Sequence, residues 1–160
     1  MKIKIYYHDT DCGGVVYYAN YLKYLEEARS EYFEDRGLIV KDLLKEGIGF
    51  VVARQEIDYK APSFYGDVLE VKTRVTETSK TRVNFEYDIV KQTGQLVASA
   101  KTVLVFVDAS TGSASTLSFG RMVDKELKPK RIPEDILKKL TCRQTQAQSL
   151  TSADGLTDGK

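Results

Sequence analysis

The sequence predicts an α+β fold in which an antiparallel sheet wraps around one buried helix. A long helical pattern comes early, over residues 20–36, and strand-like runs then dominate up to residue 107. The runs follow one another along the chain and are separated by turn residues. One long helix followed by consecutive strands indicates segregated helix and sheet rather than alternating βαβ units.

The first element is a strand over residues 2–7, where charged and apolar residues alternate. The helix over residues 20–36 follows, because apolar residues recur there at helical spacing and form one stripe. The stripe consists of Tyr21, Leu25, Ala28 and Tyr32, widened by Leu22 and Phe33. Gly37 is placed to end this helix.

A shorter helix is predicted over residues 40–45 and is ended by Gly47. The strands that follow are rich in β-branched and apolar residues. They cover residues 50–59, 68–76, 82–91 and 96–107. The Gln-Thr-Gly-Gln segment at 92–95 predicts a hairpin turn between the last two strands. A final short helix is predicted over residues 133–140, with proline near its start.

The 160 residues suffice for one domain with a substantial core, which we assign to residues 1–140. Within it, the segment 109–130 begins with Ser, Thr, Ala and Gly and ends with basic residues. We expect this segment to be an extended loop or an insertion. Residues 141–160 are polar and are predicted to form a flexible tail.

Charge and hydropathy argue against several classes of protein. No apolar run approaches the roughly 20 residues that a membrane helix needs. Residues 1–6 have no signal-peptide core, so we expect a cytoplasmic protein without membrane insertion. The net charge of +1 argues against general electrostatic attraction to nucleic acid.

The cysteines and the single histidine predict neither a disulfide nor a metal site. Cys12 and Cys142 are far apart in the sequence, and a disulfide is not expected in a cytoplasmic chain. With His8 as the one histidine, they give no metal-ligand spacing, and no metal or organic cofactor is expected. Cys12 could act as a nucleophile, but a small residue in a turn is the favoured interpretation because no second histidine is available to activate it.

The most informative segment is residues 7–21, where two carboxylates and two glycines precede the start of the long helix. Glycines let the backbone approach a ligand closely, and free N–H groups at a helix start can stabilise developing negative charge. A carboxylate beside them, Asp9 or Asp11, can attack a substrate or activate water. The residues alone equally allow a capped turn, in which Asp9, Thr10 or Asp11 satisfies helix N–H groups.

Residues 7–29 closely resemble the signature of the hotdog-fold acyl-CoA thioesterases. The nearest branch is that of the 4-hydroxybenzoyl-CoA thioesterases, which includes the thioesterases associated with the bacterial Tol–Pal system. The matching residues are Tyr7, Asp9, Thr10, Asp11, Gly14, Val15, Val16, Tyr17, Asn20, Tyr21, Glu26, Ala28 and Arg29. A second block covers residues 57–62 and 65–71, and a weaker third block covers residues 105–108 with Ile132 and Pro133. Three blocks in this order make the resemblance specific.

The resemblance implies that Asp11 is the catalytic carboxylate, as a nucleophile or as a general base. Asp9 is expected to be structural, as a turn or helix-cap residue. The resemblance also points to the backbone N–H of Tyr18 as an oxyanion donor, and the neighbouring amides of Val16 and Tyr17 are further candidates. Many relatives carry histidine at the position of Tyr18, which leaves the backbone role intact here and removes a histidine side-chain role.

Coenzyme A carries phosphates, so its site needs cationic side chains. The resemblance places such contacts near Lys80, Arg82 and Lys128, although ordinary solvated lysine and arginine residues are the alternative. Tyr59 and Pro62 are expected to shape the wall of the acyl pocket.

Two further side chains are left open. Glu26 lies on the predicted helix, and other hotdog thioesterases use a helix glutamate, but its spacing to Arg29 equally allows an ordinary ion pair. His8 is close in sequence to both aspartates, yet a surface position at a strand end is the favoured interpretation.

The resemblance therefore implies hydrolysis of acyl-CoA thioesters to a carboxylic acid and coenzyme A. It also implies subunits paired side by side as homodimers, often assembled into homotetramers, with sites at the subunit interface. One alternative is a non-catalytic module that binds an acyl carrier protein or an envelope-linked partner, to which the basic segment 125–131 is suited. A hotdog dehydratase or hydratase is a second alternative, but these enzymes rely on a histidine placed unlike His8.

Overall fold

The computed structural model describes residues 1–109 and 129–141, which form five strands, three α-helices and one 3₁₀ helix. The strands are β1 (Lys2–Lys4), β2 (Ile48–Tyr59), β3 (Val68–Thr78), β4 (Arg82–Lys91) and β5 (Leu96–Asp108). The helices are α1 (Asn20–Glu34), α2 (Val40–Lys45) and α3 (Glu134–Thr141). The 3₁₀ helix, Tyr7–Asp9, lies between β1 and α1.

The strands form one antiparallel sheet in the order β1-β3-β4-β5-β2. The hairpins β3–β4 and β4–β5 form its centre. The other two strand pairs join segments that are far apart in the chain. Strand β1 pairs with β3, with Lys2 opposite Glu70, and β2 pairs with β5, with Ile48 opposite Asp108. The predicted antiparallel sheet is therefore confirmed, with β1 and β2 at its edges.

The sheet wraps around α1 because alternate residues of its strands are apolar and point towards the helix. On β4 these are Val83, Phe85, Tyr87 and Ile89, each at most 1 % exposed. Aromatic rings of α1 meet them, with the centroids of Phe33 and Phe85 5.7 Å apart. Burying each large apolar side chain stabilises the fold by about 1.5–3 kcal/mol.

Most of the predicted helical stripe is confirmed, with one exception. Tyr21, Leu25 and Ala28 are buried in the core, and Tyr32 is partly buried. Leu22 is 44 % exposed, so the expectation that it widens the stripe was wrong. Helix α1 ends at Glu34, two residues before the predicted end, and the chain turns away at Gly37 with φ at +66°.

The first strand is shorter than predicted. It ends at Lys4, and residues 5–7 are not part of it. The reason is local, since the backbone N–H of Tyr6 donates to the carboxylate of Asp9 and turns the chain into the 3₁₀ helix. This early turn determines where the catalytic candidates lie.

Residues 110–128 and 142–160 lie outside the described residues. The predictions of a loop or insertion over 109–130 and of a flexible tail over 141–160 therefore stay predictions, apart from Thr141, which belongs to α3. Among the residues that the structure describes, none of the helices has the length and apolar character to cross a membrane.

Candidate active site

Asp9 is a buried residue that shapes the loop between β1 and α1. It is 7 % exposed, and its Oδ2 accepts the backbone N–H of Tyr6 at 2.8 Å. The imidazole of His8 is 3.7 Å from Oδ1 of Asp9, but the histidine side chain is 78 % exposed. The burial of Asp9 fits the structural role expected of it.

Asp11 lies on the surface, in a tight turn that holds its carboxylate. Its Oδ1 accepts the N–H of Gly13 at 2.8 Å. The backbone closes the same turn, because Asp11 N–H donates to Val15 O at 2.9 Å and Gly14 N–H donates to Asp11 O at 3.0 Å. Gly14 has φ at +75°, a conformation that glycine adopts without strain. One carboxylate oxygen is thus anchored while the side chain stays exposed.

The three backbone amides predicted as oxyanion donors differ in what they already bind. Val16 N–H donates to Ser63 O at 2.8 Å, and Tyr17 N–H donates to Asp9 O at 2.9 Å. Tyr18 N–H donates to no group in residues 1–109 and 129–141. Of the three, the amide of Tyr18 is therefore the donor left available for a ligand.

Tyr59 and Pro62 lie beside the same loop. The phenol of Tyr59, at the end of β2, donates to Tyr18 O at 2.9 Å, and its ring packs against Tyr21 with centroids 5.4 Å apart. Pro62 is exposed and directly precedes Ser63, whose carbonyl holds Val16. The end of β2 and the segment after it therefore form one wall next to the candidate site.

Exposed aromatic rings surround this wall. The ring centroids of Tyr17 and Tyr18 lie 4.6 Å apart. Tyr17 is 43 % exposed and Tyr18 is 61 % exposed. A hydrogen bond with Tyr18, and to a lesser degree the nearby charge of Asp11, raises the pKa of Tyr17. Tyr7 and Tyr65 pack edge to face on the same surface at 6.5 Å. Such aromatic side chains can contact a bound ligand or a second subunit.

Asn20 and Tyr24 are two residues that sequence reasoning did not assign to the site. Asn20, the first residue of α1, is buried, and its Nδ2 donates to Asp9 O at 2.8 Å. Burial, and then the carboxylate of Asp9, raise the pKa of Tyr24 well above its usual range. The signature match already contained Asn20, and its place at the helix start was the signal that could have indicated its role.

Lys80 and Arg82 lie at the other end of the sheet from Asp11. They belong to the β3–β4 turn, whereas the Asp11 loop contacts the end of β2 and the segment that leads into β3. Strand β4 separates the two ends by about 30 Å. Lys128 lies outside the described residues. Within the described residues, a single subunit therefore does not bring Lys80 or Arg82 close to the carboxylate of Asp11.

Glu26 does not form the ion pair that its spacing allows. It is exposed and accepts the hydroxyl of Ser30 at 2.9 Å, while Nη1 of Arg29 donates to the phenol of Tyr87 at 3.3 Å. Cys12 is an exposed free thiol. Within the described ranges, no group of three His, Cys, Asp or Glu side chains is placed to hold a metal ion.

A groove of about 900 Å³ lies elsewhere on the molecule, between α1, β3 and α3. Its walls include Tyr32, Arg36 and Val75, and it does not reach the Asp11 loop. The Asp11 loop itself lies on an open surface of the single subunit.

The fold and this loop together define a thioesterase of the hotdog type. Residues 6–140 match the family model described as the thioesterase-like superfamily, and the chain belongs to that family. This confirms the resemblance seen in the sequence and the predicted fold class.

Within the family, the chain is similar to acyl-CoA thioesterases of the YbgC type. It is 35 % identical to the acyl-CoA thioesterase YbgC of Helicobacter pylori over 134 residues, which cover 84 % of this chain and 93 % of the relative. It is 36 % identical to the acyl-CoA thioester hydrolase YbgC of Escherichia coli over 106 residues, 66 % of this chain and 79 % of the relative. Among solved structures, a DHNA-CoA thioesterase from Staphylococcus aureus superposes with a TM-score of 0.69 at 30 % identity, over 82 % of this chain and 78 % of that one.

Proposed function

We propose that this protein hydrolyses acyl-CoA thioesters to a free carboxylic acid and coenzyme A. The observation that carries the proposal is the presence, in one loop, of an exposed, anchored carboxylate on Asp11 and of a backbone N–H on Tyr18 that has no acceptor among the described residues. The names of the relatives support the substrate class, since both YbgC proteins are described as acting on acyl-CoA.

Asp11 acts in one of two ways. As a nucleophile, its free oxygen attacks the thioester carbonyl, the C–S bond breaks, coenzyme A leaves as the thiolate, and water then hydrolyses the mixed anhydride. As a general base, it takes a proton from a water molecule whose oxygen attacks the same carbon; the C–S bond then breaks, and coenzyme A leaves as the thiolate, which takes up a proton. In both routes negative charge develops on the carbonyl oxygen, and Tyr18 N–H is the group that stabilises it.

The second part of the proposal is that the phosphates are bound across a two-fold axis. In a dimer with β2 edges paired antiparallel, the partner sheet runs in the opposite direction. The partner's β3–β4 turn then lies at the same end as the Asp11 loop of the first subunit. Three strand spacings separate them laterally, about 15 Å. Lys80 and Arg82 would thus serve the site of the partner, and Tyr59 and Pro62 would line the acyl pocket.

A panel of acyl-CoA substrates tests the reaction. Short aliphatic, long aliphatic and aromatic acyl groups are offered in turn, and released thiol is measured continuously with a chromogenic thiol reagent. Turnover that depends on Asp11 with at least one substrate supports hydrolysis. A folded protein that releases no thiol from any of them, yet binds an acyl carrier protein, would favour the non-catalytic alternative.

A further inference from the structure

The backbone carbonyl of Asp9 joins the two parts of the candidate site, which are the turn that carries Asp11 and the segment that carries Tyr18. It accepts two hydrogen bonds, from Tyr17 N–H at 2.9 Å and from Nδ2 of Asn20 at 2.8 Å. Asp9 lies two residues before Asp11, and the two donors lie on either side of Tyr18. The two hydrogen bonds to the Asp9 carbonyl therefore connect the segment next to the Asp11 carboxylate with the segment that carries the Tyr18 N–H.

The other hydrogen bonds of the Asp11 turn and of the Tyr18 segment run within the turn or to other parts of the fold. The turn that carries Asp11 is closed on itself by the hydrogen bonds between Asp11, Val15 and Gly14. The segment that carries Tyr18 is held to the rest of the fold by Tyr59 and by the bond from Val16 to Ser63. The side chain of Asn20 adds a direct hydrogen bond from the first turn of α1 to the loop that carries Asp9 and Asp11, the acidic loop.

Asn20 is also placed out of reach of a ligand. It is 8 % exposed, and its amide points inward to the Asp9 carbonyl. A buried carbonyl that loses a donor pays a desolvation penalty or moves to find another partner. Removing the Asn20 amide would leave Tyr17 N–H as the remaining donor to this carbonyl and would remove the bond from α1, so that the loop carrying Asp9 and Asp11 is held less firmly to α1.

We propose that Asn20 is a positioning residue, which sets the distance between the Asp11 carboxylate and the Tyr18 N–H without touching the substrate. The inference rests on the proposed function of these two groups. Reacting groups must be held within a fraction of an ångström, and a displacement of about 1 Å can cost about a hundredfold in rate.

The test compares Asn20→Ala with Asn20→Asp. Asn20→Ala removes the donor, and we expect kcat to fall about tenfold to a hundredfold while KM for acyl-CoA changes less than about twofold. Asn20→Asp has the same shape, but its ionised carboxylate cannot donate to a carbonyl. When the new carboxyl is protonated, its O–H can donate again. The ratio of its kcat to the wild-type kcat should therefore rise as pH falls towards about 4, while the ratio for Asn20→Ala stays flat.

Tyr32→Phe is the matched control. It removes a comparable side-chain hydrogen bond to a backbone carbonyl, from the Tyr32 phenol to Leu140 O at 3.0 Å, three turns further along α1. This variant should lose stability and keep both kinetic constants. Amide hydrogen exchange of Tyr17 N–H gives a second readout, since it should accelerate in Asn20→Ala and not in Tyr32→Phe.

Each outcome decides the question. If Asn20→Ala folds and retains kcat within about twofold of wild type, the positioning role is wrong. If neither Asn20 variant folds, the residue supports the fold rather than the site, and the inference is equally overturned. An inactive wild-type protein would contradict the proposed function instead, and the exchange of the Tyr17 amide would then decide whether Asn20 holds the loop.

Discussion

A carboxylate can react with a substrate only if the substrate can reach it, and the two aspartates of the loop differ in this respect. Asp11 is exposed, and one of its carboxylate oxygens has no protein donor among the described residues. Asp9 is 7 % exposed, and its carboxylate accepts a backbone N–H. This difference in exposure favours the proposed division, in which Asp11 reacts and Asp9 supports the loop.

Asp11→Asn should abolish most of the turnover without unfolding the protein. Asparagine keeps the size and can still accept the N–H of Gly13, but it is neither a base nor a nucleophile of comparable strength. We expect kcat to fall by at least 10²–10⁴-fold, the usual order for such groups, with little change in melting temperature. Steady-state kinetics and a thermal melt on the same preparation measure both effects.

Asp9→Asn is the control for that substitution, because it should cost mainly stability. Asparagine can still accept Tyr6 N–H, but Asp9 is buried, and the new amide NH2 group would have to find a partner in that buried site. A capped turn without catalysis would make both variants act through folding alone. If folded Asp11→Asn retained more than about a tenth of the wild-type kcat, Asp11 would not be the catalytic carboxylate. Glu26 would then be the next residue to test.

The sequence could single out Asp11 as the candidate because its motif is local, and the catalytic role of Asp11 stays a prediction. The contacts that surround Asp11 were not predictable. The same motif suggested three amide donors, and the bond from Val16 to Ser63 takes one of them away. Ser63 is distant in the chain, so no local pattern reveals that partner. Asn20 was missed for a related reason, since its bond to Asp9 exists only once the loop has folded back on the helix.

Among the secondary-structure elements, the link from β4 to the loop before β3 supports the wall of the site. Asp67 accepts Phe64 N–H at 2.9 Å and Lys91 Nζ at 2.8 Å, and Phe64 pairs with Val15 of the Asp11 loop. Burial alone would raise the pKa of Asp67, but the hydrogen bonds from Lys91 and from Phe64 N–H hold it below its usual range. Ionised Asp67 therefore stabilises the folded state.

This contribution should depend on pH in a defined direction. A carboxylate with a lowered pKa in the folded state stabilises it above the unfolded pKa of about 3.9, and the effect is lost as pH falls through the lowered folded value. The loss of unfolding free energy in Asp67→Asn should therefore be largest at neutral pH and shrink in acid. Urea denaturation of both proteins from about pH 7 to about pH 2 measures this difference.

Asp58→Asn is a suitable control, because the ion pair of Asp58 with Lys60 is long, at 3.8 Å, and the Asp58 side chain is 75 % exposed. Exposed pairs of this kind contribute little to stability. A loss in Asp67→Asn that stayed constant across the pH range would show that packing, rather than charge, explains the effect of Asp67.

Helix α3 should be needed for folding, whereas residues 142–160 should not. Ile136 and Leu140 of α3 are at most 2 % exposed, so a truncation after Pro133 should cost about 3–6 kcal/mol. A truncation after Thr141 should leave melting temperature and turnover nearly unchanged, since residues 142–160 offer few large apolar side chains. A large drop in melting temperature in the longer truncation would contradict this expectation.

At the scale of these elements the sequence was a good guide, because each element is determined by its own periodicity and turn residues. The bounds predicted for α2 and β4 were confirmed, and those of the other long strands differ by two residues or fewer at each end. The prediction failed at β1, where a side chain competes with the sheet for the backbone N–H of Tyr6. The alternation of charged and apolar residues carries no information about such a side-chain hydrogen bond.

For the whole molecule, mixed dimers test the proposed dimer and its phosphate contacts across the two-fold axis. One subunit type carries Asp11→Asn, and the other carries Lys80→Ala with Arg82→Ala. If the contacts act across the two-fold axis, a mixed dimer contains one site with Asp11 and both cations intact. Mixing should then restore activity with the wild-type KM, although each homodimer alone is impaired. Kinetics after refolding the two types together measures the recovery.

If the contacts lay within one subunit, no site of the mixed dimer would be complete, and mixing would give no recovery. The doubly substituted homodimer provides the reference, since it should show a raised KM and a weaker dependence on salt. Unchanged KM in that homodimer would mean that the coenzyme binds elsewhere.

The pairing order of the sheet also has a consequence for how the chain acquires its fold. The hairpins β3–β4 and β4–β5 join neighbouring segments, whereas Lys2↔Glu70 and Ile48↔Asp108 join segments far apart in the chain. Closing long loops is slow because their entropy is lost before contacts compensate. The central hairpins should therefore form the folding nucleus, and β1 should dock late. The Asp11 loop, which follows β1, would then become ordered only in the last stage of folding, so that early intermediates lack a reactive site.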